Sequence, residues 1–199
     1  MFKKDIVKSI IKTHLNIYDL ELNSSNCSIQ EIDNITCEEF LKNNHIKYAI
    51  NNTIRIGLYY NDNLVSVMTI REIKNLKHNY EILRYCDKLN IKVNGSLENM
   101  INYFITKYKP KSITTYIDRR YSNGKEYFNL NFIHIQNIKP LYYYFKDREY
   151  ILYHSSLFNK EKLINDGYDP NKTESEIMKE RKYMKIYDCG HMKFELKLV

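Results

Sequence analysis

The chain has 199 residues, 43% hydrophobic and 28% charged, with 31 Lys and Arg against 24 Asp and Glu for a formal charge of +7. That is enough chain to bury a core, and the apolar content excludes intrinsic disorder. No run approaches the ~18 apolar residues of a membrane span, and MFKKDIVKSIIKTHL lacks a signal-type apolar stretch. The expected location is therefore the cytoplasm, with no secretion and no membrane partner. Cys27, Cys37, Cys86 and Cys189 include no CxxC pair, and the six His show no paired spacing. Neither a disulfide framework nor a metal site is expected.

Residues 2–15 place Ile6, Ile10 and Ile11 on one helical face. Residues 22–26 (LNSSN) read as a loop and boundary. Residues 27–32 alternate as a strand, and Thr36 with Glu39 predicts the cap of a short helix through Leu41. Residues 54–60 and 64–70 alternate about Asn61-Asp62-Asn63 and predict a hairpin, to which residues 80–89 add a third strand. Asn94-Gly95-Ser96 opens a helix with Leu97, Ile101, Phe104 and Ile105 on one face, ended by Pro110. Residues 112–117 form a β-branched strand, 125–130 a short helix, and 132–138 and 142–145 two further strands. Beyond residue 150, residues 158–165 predict a helix. Thr173 and Glu176 make a capping box for a helix through Lys182. Residues 183–187 and 192–196 flank Asp188-Cys189-Gly190-His191 as a hairpin. Strands and helices do not alternate strictly, which favours α+β over a doubly wound parallel sheet. The expected division is 1–26, 27–150 and 151–199.

This order resembles the GNAT acyltransferase fold: an α+β mixed sheet flanked by helices, here with a C-terminal helix and β-hairpin extension. The runs IRIGLYYNDNLVSVMTI (54–70), YEILRYCDKLN (80–90), KPKSITTYIDRRYSNGKEYFNLNF (109–132), KPLYYYF (139–145) and GYDPNKTESEIMKERKYMKIYDCG (167–190) are similar to a GNAT-like module at the C-terminal end of phage and giant-virus homing endonucleases. The segment KKDIVKSII (3–11) resembles the last helix of the very-short-patch-repair-type nuclease that precedes the module. The resemblance implies a nucleic-acid-associated accessory module without the nuclease core. Its expected partners are the DNA backbone and a separate nuclease, and it needs no cofactor. The alternative is an acetyl-CoA-dependent N-acyltransferase.

Five sets of residues bear on these readings. Lys92, Asn94, Gly95 and Ser96 align with the GNAT loop whose backbone N–H groups hold a diphosphate at a helix N-terminus. Leu97 departs where that loop needs a small residue. Tyr127 matches the tyrosine of the GNAT Y-x-x-x-G-F helix end, a general acid, with Asn131 in place of the Gly; it also reads as a packing residue. Arg119 and Arg120, with Tyr121 and the nearby Lys107, Lys109, Lys111 and Lys125, form the expected phosphate-binding group. The competing reading is an ion pair with Asp118 that braces the strand end. Asp62 with Glu72 and Lys74 imitates a metal-nuclease pattern, but Asp62 falls in a hairpin tip. Glu81 is the one nearby candidate for a general base.

Overall fold

The computed structural model describes residues 3–51, 53–149 and 151–198. In chain order its elements are α1 (Lys4–His14), β1 (Leu20–Asn23), β2 (Ser28–Glu31), α2 (Asn34–Asn44), β3 (Ile54–Tyr60), β4 (Asn63–Glu72), β5 (Asn79–Asp87), β6 (Ile91–Asn94), α3 (Ser96–Tyr108), β7 (Ser112–Asp118), α4 (Lys125–Asn129), β8 (Ile133–Ile138), β9 (Tyr142–Phe145), β10 (Tyr153–His154), α5 (Lys160–Asn165), α6 (Glu174–Glu180), β11 (Met184–Tyr187) and β12 (His191–Lys197). Two compact units result: Met1–Ile117 with Gly124–Ile135 and Lys193–Val199, and Asp118–Asn123 with Gln136–Met192. Among the described residues no helix is long and apolar enough to cross a membrane.

The main sheet has seven strands in the order β2-β3-β4-β5-β7-β12-β8. From β2 to β5 it is an antiparallel meander, and β5 then pairs parallel with β7. Side chains alternate across such a sheet, so each strand serves two layers. Val67 and Cys86 face α2, where Cys37, Phe40 and Leu41 complete an apolar cluster. The opposite face carries Ser66, Tyr85 and Asp87, which meet the start of α3. Helix α3 buries Leu97, Met100, Ile101 and Phe104, spaced as one helical face. It ends at Lys109, which adopts a left-handed conformation one residue before Pro110.

The second unit is built on β9, flanked by β10 and β11. Tyr144, Leu163, Ile177 and Met178 form its core. Tyr142 and Tyr144, two residues apart on one face, both donate to Glu174 (3.0 and 2.9 Å). Tyr144 is thus a core residue, with Tyr142 packed partly buried against that core. Thr173 and Glu176 make the expected capping box.

Three local expectations need correction. Residues 22–26 are not a plain loop: Leu22 is buried in β1, which pairs parallel with β6. Four-residue strands whose partner lies 71 residues away leave no periodicity to read. The cap of α2 is Asp33, whose carboxylate accepts from the Thr36 amide (2.9 Å) and hydroxyl (2.7 Å). Finally, residues 183–196 are not a hairpin, because β11 pairs with β9 while β12 enters the main sheet. The turn between them is held by Asp188, which accepts from the amides of Leu141 and Gly190. Gly190 sits at φ +73°, where a side chain would run into the Ile138 carbonyl.

Candidate functional site

The site begins with an interruption in the sheet. The parallel pairing of β5 with β7 runs from Asn79↔Ser112 to Ile82↔Thr115 and stops there, although both strands continue. At the same level the β4–β5 register shifts: Thr69 pairs with Arg84 and Ile70 with Ile82, leaving Leu83 as an extra residue. A bulge of this kind bends its strand and terminates pairing. The β5 edge from residue 83 onward and residues 116–117 of β7 therefore border a gap inside the sheet.

On one side of the gap stand Tyr85 and Asp87. Asp87 accepts from Ser66 Oγ (2.6 Å), Tyr85 OH (3.2 Å), Ser96 Oγ (3.2 Å) and the Val93 amide (3.2 Å). This carboxylate ties β4, β5, β6 and α3 together. Burial pushes its pKa up, and its four donors oppose that only in part. Burial also pushes the Tyr85 phenol well up. Both side chains keep some solvent contact despite dense surroundings, as groups lining a crevice do.

Helix α3 starts at the same place, since Ser96 is hydrogen-bonded to Tyr85 (2.6 Å) and to Asp87. Gly95, at φ +76°, occupies its N-cap position and offers no side-chain cap. The first-turn amides of Ser96, Leu97 and Glu98 are thus uncapped donors at the positive end of the helix dipole. The Leu97 side chain is buried in the inward face of α3, so its bulk does not stand over those amides. Glu98, exposed in the same turn, works against an anion there. Asn94 and Gly95 are exposed, and Ser24 Oγ lies 2.8 Å from where a Gly95 side chain would begin. Lys92 is directed elsewhere, 3.8 Å from Glu21 and over the Tyr18 ring.

Across the gap, Tyr127 of α4 is buried against Phe132 and Phe194 and hydrogen-bonded to Thr115, the last paired residue of β7. Burial raises its pKa, so the phenol holds its proton at neutral pH. Asn131 takes the left-handed conformation (φ 62°) expected where the GNAT pattern has Gly. Glu81 is bonded to Arg71 at 3.0 Å and is not available as a base. His45 is pushed down to about 4 by burial, so it is neutral but a weak base.

The expected phosphate-binding residues divide between the two units. Arg119, Arg120 and Tyr121 belong to the second unit, and Lys107, Lys109, Lys111 and Lys125 to the first. The Arg120 guanidinium is bidentate on Asp118 (3.0 and 2.7 Å), which is the bracing ion pair of the competing reading. Asp118 in turn pushes the Arg120 pKa up. Arg119 is exposed and donates its backbone amide to Gly190. Lys107 pairs with Glu31 at 2.9 Å, and Lys109 terminates α3. Asp62 lies in the β3–β4 turn and Glu72 ends β4, some 30 Å of extended strand away, so the two do not converge on a metal. Sequence reading missed Asp87 and the Leu83 bulge. Asp87 sits in an apolar-alternating run with nothing to mark it, and a bulge is defined only by the partner strand.

The fold is GNAT-like. No protein-family model matches the chain, and no curated protein matches it significantly. Among solved structures it is similar to a Bacillus subtilis acetyltransferase in complex with CoA (TM-score 0.51, 13% identity, 87% of this chain and 99% of that one). It is also similar to an Arabidopsis thaliana protein in complex with the bisubstrate analogue CoA-Ac-MVNAL (TM-score 0.53, 10% identity, 87% and 99%). A third is the Vibrio cholerae spermidine/spermine N-acetyltransferase, solved with manganese ions (TM-score 0.51, 10% identity, 87% and 94%). These matches overturn the expectation of a nucleic-acid-associated accessory module without a nuclease site of its own. Two of these three are named as acetyltransferases, and two hold CoA or a CoA analogue.

Proposed function

We propose that this chain is an acetyl-CoA-dependent N-acyltransferase. The observation that carries the reading is the coincidence of the β5–β7 gap, opened at Leu83, with the uncapped first turn of α3. The donor set fits acetyl-CoA. Amides of Ser96, Leu97 and Glu98 suit a diphosphate, and the strand edges at the gap suit a chain bearing amides. When bound, acetyl-CoA supplies an acyl group activated as a thioester.

The chain's own residues divide the remaining work. Tyr127 keeps its proton at neutral pH and is fixed by Thr115 at the end of the β7 pairing, so it is the proton donor. Asp87, saturated with donors, positions Tyr85 and Ser96 and does not take part as a base. With Glu81 held by Arg71 and His45 a weak base, the amine must arrive neutral. The rate is then expected to rise with pH through the pKa of the amine.

Calorimetry with acetyl-CoA, joined to a thiol-release assay over a panel of amines, tests the reading. Saturable binding and amine-dependent thiol release are expected. No heat at millimolar acetyl-CoA would overturn it.

A further inference from the structure

On the α2 face of the sheet three polar side chains lie in a row across adjacent strands. Arg55 of β3 pairs in register with Thr69 of β4, and Thr69 with Arg84 of β5. Residues directly opposite on antiparallel strands share a face with Cβ atoms about 5 Å apart. Thr69 is fully buried, and its hydroxyl has no hydrogen-bond partner among the described residues. Arg55 Nε is likewise buried without a partner. Native interiors rarely leave such groups unsatisfied, because each unpaired polar group costs stability. Two of them side by side mark a place where polar chemistry is retained for something other than the fold.

Arg84 adds a second guanidinium. Its Nε donates to the Tyr48 carbonyl (3.0 Å) and one Nη to the Leu83 carbonyl (2.6 Å), so the backbone holds it in place. Leu83 is the bulge residue, so Arg84 stands immediately beside the gap. The nearby carboxylate Glu81 is already engaged by Arg71. Lys3 completes a cationic neighbourhood, with its Nζ on the His45 carbonyl at 2.7 Å. Tyr85, Asp87 and the start of α3 occupy the other face, so the two faces offer separate approaches to one gap.

We propose that Arg55, Thr69 and Arg84 hold an anionic group of the acceptor, so that the acceptor is an amine that also carries a carboxylate or a phosphate. This rests on the acyl-transfer reading only for the word acceptor; the anion site itself does not. Two guanidinium groups with a hydroxyl between them can donate to two or three oxygens of one anion. The row also argues against a purely cationic acceptor such as a polyamine, which two arginines would repel.

Calorimetry on the protein without acetyl-CoA tests this, using β-alanine, β-alaninamide and O-phosphoethanolamine as probes. One of the two anionic probes is expected to bind about 10- to 100-fold more tightly than the amide, the range for hydrogen bonds to a charged group. Which of them binds tells carboxylate from phosphate. Arg55→Met should lose most of that preference, and Thr69→Val should weaken it. Both variants should keep or raise the melting temperature, since each removes an unsatisfied buried group. Acetyl-CoA affinity should not change in either. Equal affinity for amide and anions, no binding of any probe, or an anion preference that survives Arg55→Met would overturn the proposal. Failure of acetyl-CoA to bind would sink the acyltransferase reading and leave this result unaffected.

Discussion

Replacing Asp87 with alanine should destabilise the first unit by about 2–5 kcal/mol, and the structure shows where that number comes from. Four donors converge on this carboxylate, but they do not lose equally. Ser96 Oγ also bonds the Val93 carbonyl at 2.8 Å, and Tyr85 OH also bonds Ser96 at 2.6 Å. The Ser66 hydroxyl, fully buried, and the Val93 amide have Asp87 as their partner and would be left unpaired. An orphaned buried donor costs about 1–3 kcal/mol, and removing a desolvated charge returns part of the sum. Urea unfolding at pH 7, followed by far-UV circular dichroism, measures the loss. A Ser66→Ala background should absorb about 1–2 kcal/mol of it, because one orphan is then gone in advance. A loss under about 1 kcal/mol, or no coupling to Ser66, would refute the view of Asp87 as a bracket. The pH dependence has a definite sign. Burial raises the folded-state pKa of Asp87 above its unfolded value. Its contribution is therefore fully present below the unfolded pKa and is lost as pH rises through the folded one. Relative to Asp87→Asn, the wild type should gain stability on acidification from neutral pH, and a gain in the opposite direction would contradict the assigned cause.

Gly95→Ala should cost about 1 kcal/mol, since it forces φ +76° on an L residue and brings its Cβ within 2.8 Å of Ser24 Oγ. Calorimetry should also show weaker acetyl-CoA binding. Tyr127→Phe keeps the contacts with Phe132 and Phe194 and should lower kcat about 100-fold with little change in acetyl-CoA affinity, read by thiol release. Thr173→Ala removes the capping box of α6 and should cost about 1 kcal/mol, with faster amide exchange confined to its first turn.

Much of the fold was legible residue by residue. The β3–β4 hairpin, β5, α3, β7 and α4 follow from alternation, helical spacing and turn residues, because each of those signals is local. The misread elements share a different cause. β1 and β6 are short and paired parallel across a long separation, so neither carries a pattern of its own. The β11–β12 link looks like a hairpin because Asp188 and Gly190 are turn residues. They make a turn, but its two strands find partners in different sheets. Arg120 looked like part of a ligand site because charge is visible in a sequence, while its pairing with Asp118 depends on geometry.

The linear order of amino acids by itself determined the mixed α+β class, the helix start at Gly95 and the position of Tyr127 in α4. These depend on neighbours within a few residues. The tertiary structure alone decided that β5 and β7 part at Ile82 and Thr115, that Leu83 is the extra residue, and that Arg55, Thr69 and Arg84 stand in one row. Strand register sets all three. Register is a relation between segments, fixed only when the chain closes its loops and buries both faces of the sheet.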